Sequence, residues 1–116
     1  MPFDAIVTNP GRLRILTALA TEPRQEFVRL RERTRLTDGN LATHAKRLRG
    51  AGFIAIDKSI RAGKPVTSMQ LTAAGRDALE AHARHVLAAL QPAAAQAEET
   101  VAIAGAQDVD DDDWVD

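Results

Sequence analysis

Residues 36–53 read LTDGNLATHAKRLRGAGF, a helix whose two ends are both marked. Thr37 belongs to the residue types that cap a helix N-terminus, and with Thr37 as cap, Leu36 and Leu41 fall at the two positions of a hydrophobic staple. Asp38 then lies in the first turn, where the helix dipole favours a carboxylate. After Gly50-Ala51, Gly52 is suited to the left-handed conformation that stops a helix. On a wheel of about 100° per residue, Leu41, Ala45 and Leu48 gather on one side. Gly39, Asn40, Thr43, Lys46, Arg47 and Gly50 point the opposite way, and His44 and Arg49 lie on the flanks. The outward set holds donors for base edges in Asn40 and Arg47, a cation for phosphate in Lys46, and no acid. An ordinary solvated helix face is also polar, so this helix alone does not choose between the two readings.

Its neighbours add context. Upstream, Asn9-Pro10 suits the cap and first position of a helix carrying Leu13, Leu16 and Ala20 on one stripe and Ile15 and Leu19 on a second, ending at Glu22-Pro23. Residues 26–36 fit two patterns. Phe27, Leu30 and Thr34 have helical spacing, whereas Arg29, Arg31, Arg33 and Arg35 alternate as on a strand. The opposite strand face, Leu30, Glu32 and Thr34, is not consistently apolar, which favours helix. Downstream, residues 53–58 and 66–71 read as two strands, with Ile54 and Ile56 sharing one face and Thr67, Met69 and Leu71 another. Residues 59–65 between them form a turn-rich tip bearing Arg61 and Lys64. Thr72 caps a long helix with Leu79, Ala83, Val86, Leu87 and Leu90 along one face, which Pro92 is expected to interrupt.

Composition bounds the rest. The 116 residues suffice for one domain with one core. Hydrophobic residues make up 45%, but 22 of them are alanines and only four residues are aromatic, which suits closely packed helices better than a sandwich or barrel. The absence of cysteine excludes disulfides, thiolate metal sites and a cysteine nucleophile. No stretch approaches the roughly 20 apolar residues of a membrane helix, and MPFDAIV does not read as a signal peptide. A soluble, cytoplasmic protein with no membrane partner is expected. The net charge of −1 conceals a division: residues 92–116 carry eight acids and no lysine or arginine, while residues 1–91 hold all 15 lysines and arginines against eight acids. The reading is therefore a basic domain over 1–91, followed at 92–116 by an alanine-rich segment and an acidic, disordered tail.

Helix, helix, short turn, helix, two-stranded hairpin, long helix is the layout of a winged helix-turn-helix, a mainly α fold with a small β-hairpin. It presents the third helix to a major groove wide enough for one helix. Arg61 and Lys64 at the hairpin tip are placed to reach a neighbouring minor groove or its phosphates. The chain resembles small winged-helix transcriptional regulators related to the MarR and ArsR groups over about residues 8–90. The resemblance is carried by Pro10-Gly11-Arg12-Leu13-Arg14-Ile15-Leu16, by Leu36-Thr37-Asp38-Gly39-Asn40-Leu41, by His44 with Leu48, by Gly52-Phe53, by Lys58, Lys64-Pro65 and Thr67, and by Leu71-Thr72-Ala73-Ala74-Gly75. Met69 departs from it, standing where such proteins often have an aromatic. The resemblance implies a homodimeric DNA-binding regulator whose third helix and wing contact double-stranded DNA through Asn40, Thr43, His44, Lys46, Arg47, Arg61 and Lys64. One recognition helix reads only a few base pairs, so two-fold pairing lengthens the site. The apolar residues Leu79, Val86, Leu87 and Leu90, with Leu13, are the candidates for the dimer contact; packing onto the first helix is the other use for them. A repressor that occludes polymerase is the expected mode, and a winged-helix protein-interaction module is the alternative.

Other signals are weaker. His82 and His85, three residues apart near Asp77 and Glu80, could share an ion, but no complete ligand set is visible, and two exposed histidines are the commoner explanation. There is no glycine-rich phosphate loop and no GxSxG elbow, so neither an enzyme nor a cofactor is expected. A small-molecule effector has no dedicated sensor domain here; its natural place is between the dimer helices and the DNA-binding lobe. The acidic run at 108–116 is most simply a solubilising end. It is also suited to fold back on the basic face, and Trp114 within it to anchor a partner protein.

Overall fold

The computed structural model describes residues 4–95, with side chains to residue 91. Its elements are α1 (Ala5–Thr8), α2 (Pro10–Thr21), β1 (Arg24–Glu26), α3 (Phe27–Thr34), α4 (Asp38–Gly50), β2 (Ile54–Arg61), β3 (Lys64–Leu71) and α5 (Ala73–Ala95). The strands form one antiparallel sheet in the order β1-β3-β2. This is a winged helix with a long final helix.

The capping logic of the sequence holds at each helix it addressed. Asn9 accepts from the Arg12 amide at 3.2 Å, and Thr37 Oγ1 from the Asn40 amide at 3.1 Å. Residues 27–34 are helical, and the helix stops where Arg35 turns left-handed at φ 62. Gly52, at φ +83, makes the left-handed stop after α4. The core is then shared by four helices and the sheet, with α1 contributing the fully buried Val7. Ile15, Leu16 and Leu19 of α2, Leu30 of α3, Leu41 and Leu48 of α4 and Met69 of β3 are all 2% exposed or less. Each such side chain contributes about 1.5–3 kcal/mol of transfer free energy, which is what fixes α4 against the body.

Several expectations need correction. The sheet has a third strand: β1 pairs with β3, Gln25 opposite Met69. Gln25 is buried and its Nε2 donates to the carbonyls of Ala18 (2.8 Å) and Glu22 (2.7 Å), tying β1 to the end of α2. The wing strands are longer than the pattern at 53–58 and 66–71 indicates. Arg61 pairs with Lys64, so the turn is only Ala62-Gly63, with φ of 53 and 78. That is the left-handed pair a two-residue hairpin requires. The short α1, capped by Asp4, was not foreseen, and α5 continues past Pro92 to Ala95. The remainder of the alanine-rich segment and the acidic stretch 105–116 lie outside the described residues.

A tight corner joins α4, the sheet and α5. The Phe53 amide donates to Leu48 O at 3.0 Å, and the Thr72 amide donates to Phe53 O at 3.1 Å. Thr72 Oγ1 donates to Gly52 O at 2.7 Å and accepts from the Gly75 amide at 3.0 Å. Gly75 fits this corner because it lacks a Cβ, which would stand 2.0 Å from Phe53 O.

Candidate nucleic-acid interface

Burying Leu41, Ala45 and Leu48 turns the opposite side of α4 outward. Asn40, Thr43, Lys46, Arg47 and Arg49 are exposed, and His44 is half-buried. Asp38, the acid of α4, is tied to Arg31, with Nη1 to Oδ1 at 3.0 Å. Among the described residues no carboxylate pairs with Lys46, Arg47 or Arg49, so the outward face presents uncompensated positive charge.

His44 is set differently from its neighbours. Its ring lies over the first turn of α2, where a Cβ on Gly11 would be 2.7 Å from Nε2. Arg12 Nη1 approaches His44 Nδ1 at 3.4 Å, and Arg12 Nε donates to Ile6 O at 2.7 Å. Burial, and secondly the Arg12 charge, hold the His44 pKa below its ordinary value. Burial, and secondly Arg47, likewise lower that of Arg12. Arg12 therefore belongs to the same electrostatic cluster as α4, a role that helical spacing within α4 could not reveal. The signal was Gly11-Arg12 itself: a glycine and a cation in the first turn of α2, which is where the histidine ring needs room.

At the wing, the two-residue turn sets Arg61 and Lys64 side by side, both exposed. Arg61 is not free, however. It reaches across β3 to Glu26 of β1, with Nη2 donating to Oε1 at 3.0 Å and Nη1 also in contact with the carboxylate. The hydrogen bond from Arg61 holds the Glu26 carboxyl below its ordinary pKa and, reciprocally, raises that of the guanidinium. Glu26 is thus a wing residue that the sequence reading missed, because its partner lies 35 positions away.

The apolar residues of α5 divide into two sets. Leu13 and Leu79 are partly buried against the core, whereas Val86, Leu87 and Leu90 are 39%, 55% and 60% exposed. Beside them, Thr8, Pro10, Leu13, Arg14, Thr17 and His82 line an open cleft of about 420 Å³ between α1–α2 and α5. Among the described residues, no three His, Asp or Glu side chains converge as a metal site. Nor, among the described residues, is any helix long and apolar enough to cross a membrane.

Known proteins share this architecture. An uncharacterised protein of Methanocaldococcus jannaschii is 37% identical over 85 residues, which is 73% of this chain and 88% of that protein. A transcriptional regulator homologue of Pyrococcus horikoshii OT3 superposes with a TM-score of 0.70 at 28% identity, over 75% of this chain and 86% of that one. A MarR-family transcriptional regulator of Silicibacter pomeroyi, 18% identical, shares the fold over 72% of this chain and 56% of its own, with a TM-score of 0.59. The family model described as winged helix DNA-binding domain matches residues 12–90. With α4 buried on one side and basic on the other, and a wing beside it, the chain belongs to the winged helix DNA-binding domain family, one of regulators and not of enzymes.

Proposed function

We propose that the chain is a sequence-specific transcriptional regulator that acts as a homodimer and represses by occupying promoter DNA. The observation that carries this is the face of α4: Asn40, Thr43, Lys46 and Arg47 are exposed without a neighbouring carboxylate partner, opposite a fully buried stripe. In this reading Asn40 and Arg47 contact base edges in the major groove and Lys46 contacts phosphate. Thr43 and His44 line the same groove, and Lys64 with Arg61 contacts the flank. Val86, Leu87 and Leu90 form the pairing surface, since leaving three apolar side chains exposed on one helix is unfavourable in a monomer. The cleft of about 420 Å³ beside them is the place for a small-molecule effector.

The test is fluorescence anisotropy with DNA from upstream of the gene and with an unrelated duplex, over a salt series. A preference that survives near-physiological salt is expected, and Arg47→Ala should reduce cognate affinity by about 1–3 kcal/mol while leaving the unrelated duplex less affected. Binding that is equal on genomic and unrelated DNA and vanishes with salt would instead favour a winged-helix module that binds protein.

A further inference from the structure

We propose that the acidic run at residues 108–116 docks on the exposed face of α4, so that the chain carries its own polyanionic competitor for DNA. The proposal rests on reading α4 as the DNA helix. Five arginines of the body are paired: Arg24 with Asp57, Arg29 and Arg33 with Glu22, Arg31 with Asp38 and Arg61 with Glu26. Of the cations outside these pairs, three share the single helix α4. Lys46, Arg47 and Arg49 have no carboxylate partner among the described residues, and the charge of Arg47 is felt unfavourably at Arg12. An anion arriving there relieves like-charge crowding that the folded domain leaves in place.

The segment 108–116 matches what that face lacks. Six of its nine residues are aspartates, and residues 92–116 contain no lysine or arginine. An extended run of aspartates carries one charge per 3.3–3.6 Å, close to the roughly 3.4 Å per charge of one DNA strand. Length allows the contact. The 23 residues of α5 rise about 34 Å from the corner where Thr72 holds Gly52, at the exit of α4. Residues 96–107 can span about 40 Å, and nine further residues about 30 Å, against about 20 Å for the 13 residues of α4. Such a competitor imitates phosphate but not base edges. Because it must leave α4 before any duplex binds, it lowers cognate and non-specific affinity by the same factor, and the weaker non-specific complexes are the first to fall below working concentrations.

The experiment compares the full chain with a full-length variant in which Asp110, Asp111, Asp112 and Asp113 are each changed to Asn. On an unrelated duplex at 50 mM salt the variant should bind about tenfold more tightly, with the difference closing at high salt. Unchanged affinity overturns the proposal. Because reduced negative charge alone would also tighten binding, docking is read separately from Trp114, the sole tryptophan in a chain without tyrosine. Acrylamide should quench it least in the free protein at low salt. Quenching should rise when the unrelated duplex is added, and in the double variant Lys46→Ala with Arg47→Ala. Equal quenching in all three states overturns docking, even where the Asn variant binds more tightly; a preference for the cognate duplex in the same protein would leave the regulator reading standing. A chain that binds no duplex at 50 mM salt, with or without its aspartates, removes both.

Discussion

Replacing Gly75 by alanine adds one methyl group to the corner that joins α4 to α5, and its effect can be estimated from the surroundings. The new Cβ would stand 2.0 Å from the Phe53 carbonyl oxygen, 2.8 Å from its carbon and 2.9 Å from Leu71 Cδ1. Two of these are backbone atoms, so a rotamer change cannot relieve the clash. The Phe53 carbonyl must move away, and with it goes the bond it accepts from the Thr72 amide at 3.1 Å. Losing that bond costs about 0.5–1.5 kcal/mol, and the forced shift about 1–3 kcal/mol. The better helix propensity of alanine returns at most about 1 kcal/mol. The net expectation is a destabilisation of about 2 kcal/mol, which at roughly 4 °C per kcal/mol lowers the melting temperature by about 8 °C. Gly39→Ala is the internal control. It makes the same change in a helix, but nothing lies within 4 Å of the added atom, so this variant should gain up to about 1 kcal/mol. Urea unfolding followed by circular dichroism measures both. Shifts of the same sign, or a Gly75→Ala protein as stable as the original, would refute the reasoning.

Three other outcomes are expected. Because the folded state holds the His44 pKa below 6.5, the unfolded chain binds the proton first. The contribution of His44 to stability is then complete above about pH 6.5 and declines as pH falls from there toward the folded value. Urea midpoints at pH 7.5 and 5.5 should accordingly drop further for the original chain than for His44→Gln, and parallel drops would refute this. Glu26→Gln removes the carboxylate that holds Arg61; DNA binding at low salt should tighten severalfold, and weaker binding would show that the pair is needed to aim the arginine. Leu87→Glu with Leu90→Glu should give a folded monomer by analytical ultracentrifugation, with an unfolding midpoint that no longer depends on protein concentration, because both side chains are exposed in the single chain; an intact dimer would place the pairing surface elsewhere.

What the sequence disclosed follows the range of the interactions. α4 was legible because its determinants, Thr37, Leu41, Ala45, Leu48 and Gly52, lie within one short stretch and act on each other through it. β1 was not. It is three residues long, its central Gln25 is polar and buried, and its partner Met69 is 44 positions away, so no local period announces it. The full length of the wing strands is hidden in the sequence for a related reason. Ala62 is an unusual residue for a left-handed turn position, and the familiar Asn-Gly or Asp-Gly signal was absent. At the site, the outward face of α4 could be drawn on a wheel, whereas the pairing of Arg61 with Glu26 and the placement of His44 under Arg12 depend on how separate elements pack. Proline is the residue type that most often interrupts a helix, yet α5 continues past Pro92 to Ala95.

The corner of Gly52, Phe53, Thr72 and Gly75 also bears on operator architecture. With α5 as the pairing helix, the angle at which it leaves this corner fixes how far apart, and how rotated, the two copies of α4 sit. Successive base pairs are displaced by about 3.4 Å along the duplex and rotated by about 34–36°, so half-site spacing is sampled in discrete steps. Hydrogen bonds of 2.7–3.1 Å clamp Thr72 to Gly52, Phe53 and Gly75, which leaves little angular freedom for a dimer to follow an inserted base pair. Four residues outside the proposed DNA and pairing surfaces would then select among operators by the length of their spacer.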